Sequence, residues 1–379
     1  MRIFKNLNVD FLSKRKSFYI FSATLFLLGL INIAFRGLEF GIDFLGGSEI
    51  ALEFQQPVKI VELRDFVNKI GLGELELKTF GSDRAILMRT ELQEIPNNLF
   101  PRVQKNIESA IDKHFPGLVK QEVSRTAGSI TYQFPNADTT NAVAEALFED
   151  GYQSVKATEE PTNTQLTVRV GISDWIKESL KEKMPDNNFK VLKENRVGPK
   201  VGKELKTDAV VAIFLALVVI LIYLGFRFKF IFAIGAVLAL FHDVLITLGL
   251  YALLYGVIPG LNLEIDLTIV AAFLTLIGYS VSDTVVIFDR VREDLKLHKT
   301  LPLKDNINNA LNKTMSRTIL TGGSTLLSLL VLVLFGGEVL RAFAFTLFFG
   351  IIIGTYSSIF VASAIVYDYA NYAKRKIEF

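Results

Sequence analysis

Cysteine is absent from the 379 residues, while Trp occurs once, His three times and Met four times. No disulfide, thiol nucleophile or thiolate metal site can therefore be built. The three histidines, His114, His242 and His298, are too scattered to suggest a zinc site. Charge of one sign is lacking as well. Lys and Arg number 41 against 39 Asp and Glu, a net of +2, so no polyanion such as nucleic acid is implied as a partner. No Gly-x-x-x-x-Gly-Lys-[Ser/Thr] loop, Ser elbow, metalloprotease helix or haem motif occurs. The chain carries no nucleotide motor of its own, no cofactor is expected, and an enzyme is the least supported class. An energy-requiring role has to draw on a membrane potential or a partner.

What the chain has in abundance is apolar sequence. Half of its residues are hydrophobic, and the mean hydropathy is +0.37. Residues 17–35, 209–225, 231–253, 267–288, 318–335 and 342–367 are nearly charge-free runs. Several reach the ~20 residues needed to span a ~30 Å hydrocarbon core. The first run follows Lys14-Arg15-Lys16, exceeds the core of a signal peptide, and is followed by Arg36-Gly37-Leu38-Glu39-Phe40, not by a small-residue cleavage site. It reads as an uncleaved signal anchor and first membrane helix.

Basic residues set the orientation, because they concentrate on the cytoplasmic side. The N-terminus (1–16), with Lys5, Lys14, Arg15 and Lys16, is expected inside. So are the turn carrying Arg227 and Lys229, the loop 289–316 and the tail 368–379 with Lys374-Arg375-Lys376. The loop 255–266 has two acids and no Lys or Arg, and is placed outside. Arg341, in the short outer turn, is the one misplaced cation.

Residues 36–208 then lie outside as a soluble domain. They read as strand, helix, two strands, helix, strand, twice over. That is the ferredoxin-like order, with expected units at about 48–126 and 128–196. The fold class is therefore a six-helix membrane protein with an α+β, ferredoxin-like and duplicated periplasmic domain.

Several polar residues interrupt the apolar runs. Asp283 sits in the fourth, 267–288. A carboxylate there costs about 2.5–3.5 kcal/mol on insertion scales and is usually a functional group facing a bundle interior. A structural carboxylate bonded to a neighbouring helix is the alternative. His242-Asp243 lies near the middle of the third run, and can be read as a proton relay or as a structural pair. The fifth span, 317–335, opens at Arg317. Helical spacing puts Arg317, Thr321, Ser324 and Ser328 on one stripe, which should face other helices. Arg317 is either a snorkelling anchor or the partner of Asp283. Gly350, Gly354 and Ser358 form a small-residue row in the sixth span.

Four strings resemble the SecD/SecF family of the RND superfamily, on its SecF side. They are Gly41-Ile42-Asp43-Phe44-Leu45-Gly46-Gly47, the segment Val197 to Leu205 with Gly198, Pro199, Gly202 and Glu204, the segment Gly278-Tyr279 to Glu293, and Ser316-Arg317-Thr318-Ile319-Leu320-Thr321. The resemblance implies a six-helix unit in the bacterial inner membrane that pairs with SecD and uses the proton motive force. Its expected partners are SecD, YajC, the SecYEG translocon, unfolded preprotein and membrane lipid. Asp283 falls on the family's proton-coupling aspartate and Arg317 on the arginine associated with it. Ser282 departs from the usual Asn and Gly322 from a common Ser, and the family usually has one ferredoxin-like unit where two are expected here. Two other functions stay open: an RND half-transporter for lipids or small molecules, and a non-catalytic membrane scaffold.

Overall fold

The computed structural model describes residues 7–158, 160, 162–258 and 261–372. Lys5 and Lys374-Arg375-Lys376, used above for orientation, lie outside the described residues, as do positions 259–260 of the outer loop. The chain divides into two compact units, Phe44–Lys203 and the combination of Met1–Asp43 with Glu204–Phe379.

In chain order, a 3₁₀ turn, Leu12–Lys14, enters α1 (Arg15–Arg36), and a short α2 (Ile42–Leu45) follows. The α+β unit continues with β1 (Gly47–Phe54), α3 (Ile60–Val67), β2 (Glu76–Phe80), β3 (Ser82–Thr90), α4 (Phe100–His114) and β4 (Gln121–Thr126). Then come β5 (Ser129–Gln133), α5 (Ala137–Glu149), β6 (Ser154–Lys156), β7 (Gln165–Arg169), α6 (Ile172–Lys183) and β8 (Phe189–Val197).

Two antiparallel sheets form, ordered β2-β3-β1-β8 and β4-β5-β7-β6. Both have the ferredoxin-like arrangement, but the last strands are exchanged. The expected first unit, 48–126, sends β4 to the second sheet, and the expected second, 128–196, returns β8 to the edge beside β1. The cause is local. Only Ala127-Gly128 separates β4 from β5, with Thr126 opposite Ser129. A two-residue connection forces its strands into a hairpin, so β4 cannot reach β1.

Alternate residues of β1, Ile50, Leu52 and Phe54, point into the core. Helix α4 contributes Phe100, Val103, Ile107 and Ile111, the three-to-four spacing of an amphipathic helix. Side chains of both sheets and all four helices join one core, in which Trp175 Nε1 donates to the Ile70 carbonyl at 2.9 Å. On the opposite face of β1, Glu49 is buried and held by Arg89 at 2.7 Å and Lys193 at 2.9 Å.

The membrane unit resumes with α7 (Pro199–Arg227), α8 (Phe230–Leu254), α9 (Leu267–Leu297) and α10 (Leu303–Phe335). The last span joins α11 (Glu338–Ser357), a π-helical turn Ser358–Ala362 and α12 (Ser363–Tyr372). Among the described residues, six helices are long and apolar enough to cross a membrane. Helix α8 and the last span are mostly buried, whereas this chain leaves most of the apolar surface of α1, α7 and α10 uncovered. Helices α9 and α10 run past the expected spans, because their extensions bury Val291 on one and Ile307, Ala310 and Leu311 on the other. Asp294, fully buried, ties them together by accepting two bonds from Lys313 Nζ, both 2.9 Å.

Candidate proton site in the membrane helices

Helix α9 carries Asp283 on the side that meets α10. The carboxylate is half-buried, and its Oδ1 accepts from Thr318 Oγ1 at 2.7 Å. Its Oδ2 is buried with no hydrogen-bond partner among the described residues. Such an orphan oxygen is uncommon and costly when ionised. Arg317 is exposed on α10, and its charge acts on Asp283 without a salt bridge closing between them among the described residues. The residue that bonds Asp283 is therefore the neighbour of the expected one. In the sequence Thr318 stands within the Ser316–Thr321 string, and nothing there sets its hydroxyl apart as the partner of Asp283.

Arg317, Thr321, Ser324 and Ser328 do form one stripe, and all four are exposed. Their hydroxyls turn back onto their own helix: Thr321 donates to Arg317 O at 2.9 Å, Ser324 to Thr321 O at 3.0 Å and Ser328 to Ser324 O at 3.2 Å. The stripe was expected to face other helices, and no helix among the described residues covers it. Thr275, Gly278 and Ser282 on α9 are exposed as well. Tyr279 reaches across to Thr325 at 3.5 Å, and Gly322 is packed beside Thr355 and Tyr279.

His242 and Asp243 form a separate cluster between α1, α8, α9 and α11. Asp243 is buried, next to His242 Nδ1 at 3.0 Å, and accepts from Ser280 and Ser357. It does not meet Asp283: along α9, Ser280 serves Asp243 and Asp283 serves α10. Ser22, Ser280, Ser357 and Tyr356 were not singled out in the sequence, since isolated hydroxyls carry no periodic signal.

The motif residues elsewhere have structural tasks. Gly41 N donates to Ile265 O at 2.8 Å, and a Cβ there would lie 3.0 Å from Asp266 Cβ. Asp43 Oδ2 accepts from Leu267 N at 3.0 Å, and Asp266 Oδ1 from Ile269 N at 2.9 Å, so two acids cap the start of α9. Gly47, at φ +114, lies against the Thr90 carbonyl where no Cβ fits. Gly46 presses on Pro199, and Gly202 on Phe44 and Gly46; Gly198 O receives the Gly202 N–H at 2.8 Å. Glu204 is exposed and Ser316 buried.

Two family models match. Residues 176–372 match the C-terminal model of the protein export membrane protein SecD/SecF, and residues 31–58 match the SecD/SecF GG motif. The sequence is 39% identical over 368 residues to the protein translocase subunit SecF of Rhodothermus marinus, covering 97% of this chain and 95% of the relative. To the SecF of Calditerrivibrio nitroreducens it is 36% identical, covering 97% and 96%. The chain belongs to the SecF family. Among solved structures, the SecDF of Thermus thermophilus, described as a translocon-associated membrane protein, superposes with a TM-score of 0.64 at 27% identity. A SecDF in a super-membrane-facing form gives 0.56 at 28%. The matches cover 97% and 98% of this chain, which spans 39% and 40% of those longer chains. This SecF-family chain is thus a multi-pass membrane protein with an α+β unit. Because 97% of it aligns with the two relatives, both sheets fall within the shared region.

Proposed function

We propose that this chain is a proton-coupled subunit of the Sec export machinery. With SecD as its mate, it uses the proton motive force to assist preprotein translocation through SecYEG and release outside the membrane, with YajC in the same assembly. It sits in the bacterial inner membrane with both ends in the cytoplasm and the α+β unit outside. The observation that carries this reading is Asp283: a carboxylate in a membrane span, with one oxygen bonded by Thr318 and the other buried and orphaned. Ionised, it leaves a buried lone pair unmet; protonated, it carries no charge to desolvate. Arg317 is the nearby charge that compensates the ionised form. The exposed polar faces of α9 and α10 support a mate, because hydroxyl stripes on membrane helices are contact surfaces.

The test is export of a reporter preprotein by membrane vesicles, with and without an imposed proton gradient. Asp283→Asn keeps the size and removes the titration. It is expected to assemble with its partners while export falls to the level seen without the gradient. Asp289→Asn is the control. Asp289 is exposed and pairs with Arg227 at 3.2 Å, so its variant should keep the gradient response. A gradient response in the Asp283 variant equal to the parent's would overturn the reading.

A further inference from the structure

The His242–Asp243 cluster takes no part in the bonding of Asp283, and its protons can be counted. Asp243 is 1% exposed. Its Oδ2 accepts from Ser280 Oγ at 2.7 Å and from Ser357 Oγ at 2.9 Å. Its Oδ1 lies 3.0 Å from His242 Nδ1. Beyond the ring, His242 Nε2 lies 2.9 Å from Ser22 Oγ, Ser22 Oγ lies 2.8 Å from Tyr356 Oη, and Tyr356 Oη lies 2.8 Å from the Phe18 carbonyl. The contacts run unbroken from a buried carboxylate to the half-buried Tyr356.

Four contacts join Asp243 Oδ1 to Phe18 O, and each needs one proton. Ser22 and Tyr356 supply one apiece. A neutral imidazole beside an ionised Asp243 supplies one more, so one of the four stays unmade. One added proton completes the set. We infer that Tyr356, Ser22 and His242 form a proton-conducting chain that loads one proton onto the buried His242–Asp243 pair. The inference rests on the proton-coupled reading above and gives it a second site.

The transfer balances. In the unloaded state Tyr356 donates to Ser22, Ser22 to Nε2, and Nδ1–H to the Asp243 carboxylate. Loading adds a proton to Tyr356 Oη from a hydronium ion on the Phe18 side, which leaves as water. The proton of Tyr356 passes to Ser22, that of Ser22 passes to Nε2, and each oxygen ends with as many hydrogens as it began. Tyr356 now donates to Phe18 O, Ser22 to Tyr356, and Nε2–H to Ser22. Only O–H and N–H bonds change, and the charge of the pair goes from −1 to 0. The titratable groups of the chain are His242 and Asp243 on α8 and Tyr356 on α11; α1 and α9 face it with the hydroxyls of Ser22 and Ser280.

Two independent features fit a working site. The helix leaves α geometry at Ser358–Ala362, directly after Tyr356 and Ser357, and π-turns inside α-helices are frequent at functional sites. Gly354 also leaves room for the cluster: a Cβ there would lie 2.9 Å from Ser280 Oγ and 3.5 Å from Asp243 Oδ2.

The test uses the full chain assembled with SecD in vesicles, carrying Asp283→Asn so that Asp283 is silent. Imidazole and carboxylate bands are followed by infrared difference spectroscopy after pH jumps across about pH 5–8, the range in which an imidazole side chain in general changes charge. The expected result is an imidazolium band that His242→Gln removes, with a shifted carboxylate band beside it that Asp243→Asn removes. Ser22→Ala and Tyr356→Phe each delete one oxygen of the chain and should slow that response by at least ~100-fold, the lower end for a positioned proton-transfer group. Ser22→Thr, which keeps the hydroxyl, should restore it. A His242–Asp243 pair that takes up no proton over this range, or that does so equally fast in both hydroxyl variants, would overturn the inference and leave a structural pair. The export assay on Asp283→Asn alone reports on the earlier reading, so the two can fail separately.

Discussion

Asp10 and Asp283 are both acids with a neighbouring cation, and their surroundings separate them. Asp10, ahead of the first span, bonds Lys304 Nζ at 2.6 Å and accepts from Asn308 Nδ2 at 2.8 Å and Ser13 N at 3.1 Å. The bond from Lys304 is the main cause holding its carboxyl below the usual range. A depressed folded value means the contribution is present above the unfolded value, about 3.8, and is lost as pH falls through the folded one. Acidification is therefore expected to release the Ser13 amide, read as faster hydrogen exchange at low pH. Asp10→Asn should abolish that pH dependence. Asp283 was legible because a carboxylate in a membrane span is rare. Thr318, its hydrogen-bond donor, was not: Arg317 and Thr318 differ by one helical step, and the crossing of α9 against α10 decides which of them points inward.

At the scale of elements, helix crossings depend on atoms that are absent. A Cβ on Gly249 of α8 would lie 2.8 Å from the Cα of Gly29 in α1, backbone against backbone. Gly249→Val is expected to push α1 off α8 and cost about 1–3 kcal/mol, the usual price of overpacking. Thermal unfolding of the purified chain in detergent, compared with the parent, measures it; an unchanged midpoint would show that the contact does not hold the pair. The row Gly350, Gly354 and Ser358 was legible as a packing face, and Gly350 does abut Leu276 of α9. The stripe on α10 was legible as a stripe, yet spacing alone does not say whether its neighbour belongs to the same chain. Ser324→Cys tests that. A thiol reagent should label it in the isolated chain and fail to label it in the complex with SecD. Equal labelling in both would place the mate elsewhere.

At the scale of the molecule, the strand exchange makes residues 47–197 one folding unit. A fragment 47–197 is expected to unfold in one cooperative transition, because both sheets share one core. A fragment 128–196 lacks β4 and carries β8 without its partner β1, and should stay largely unfolded by circular dichroism. A cooperative 128–196 would refute the exchange. Hydropathy by itself determined the six spans and the charge-poor positions within them, because the cost of burying charge in lipid is a property of each residue. Period-two and helical patterning determined the strand and helix order of the α+β unit for the same local reason. Tertiary structure alone decided which sheet each edge strand joins, which hydroxyl meets Asp283, and that Ser22, His242, Asp243 and Tyr356 stand in one line. Those outcomes depend on contacts between residues far apart in the chain, whose geometry is set by packing and leaves no periodic trace in the sequence.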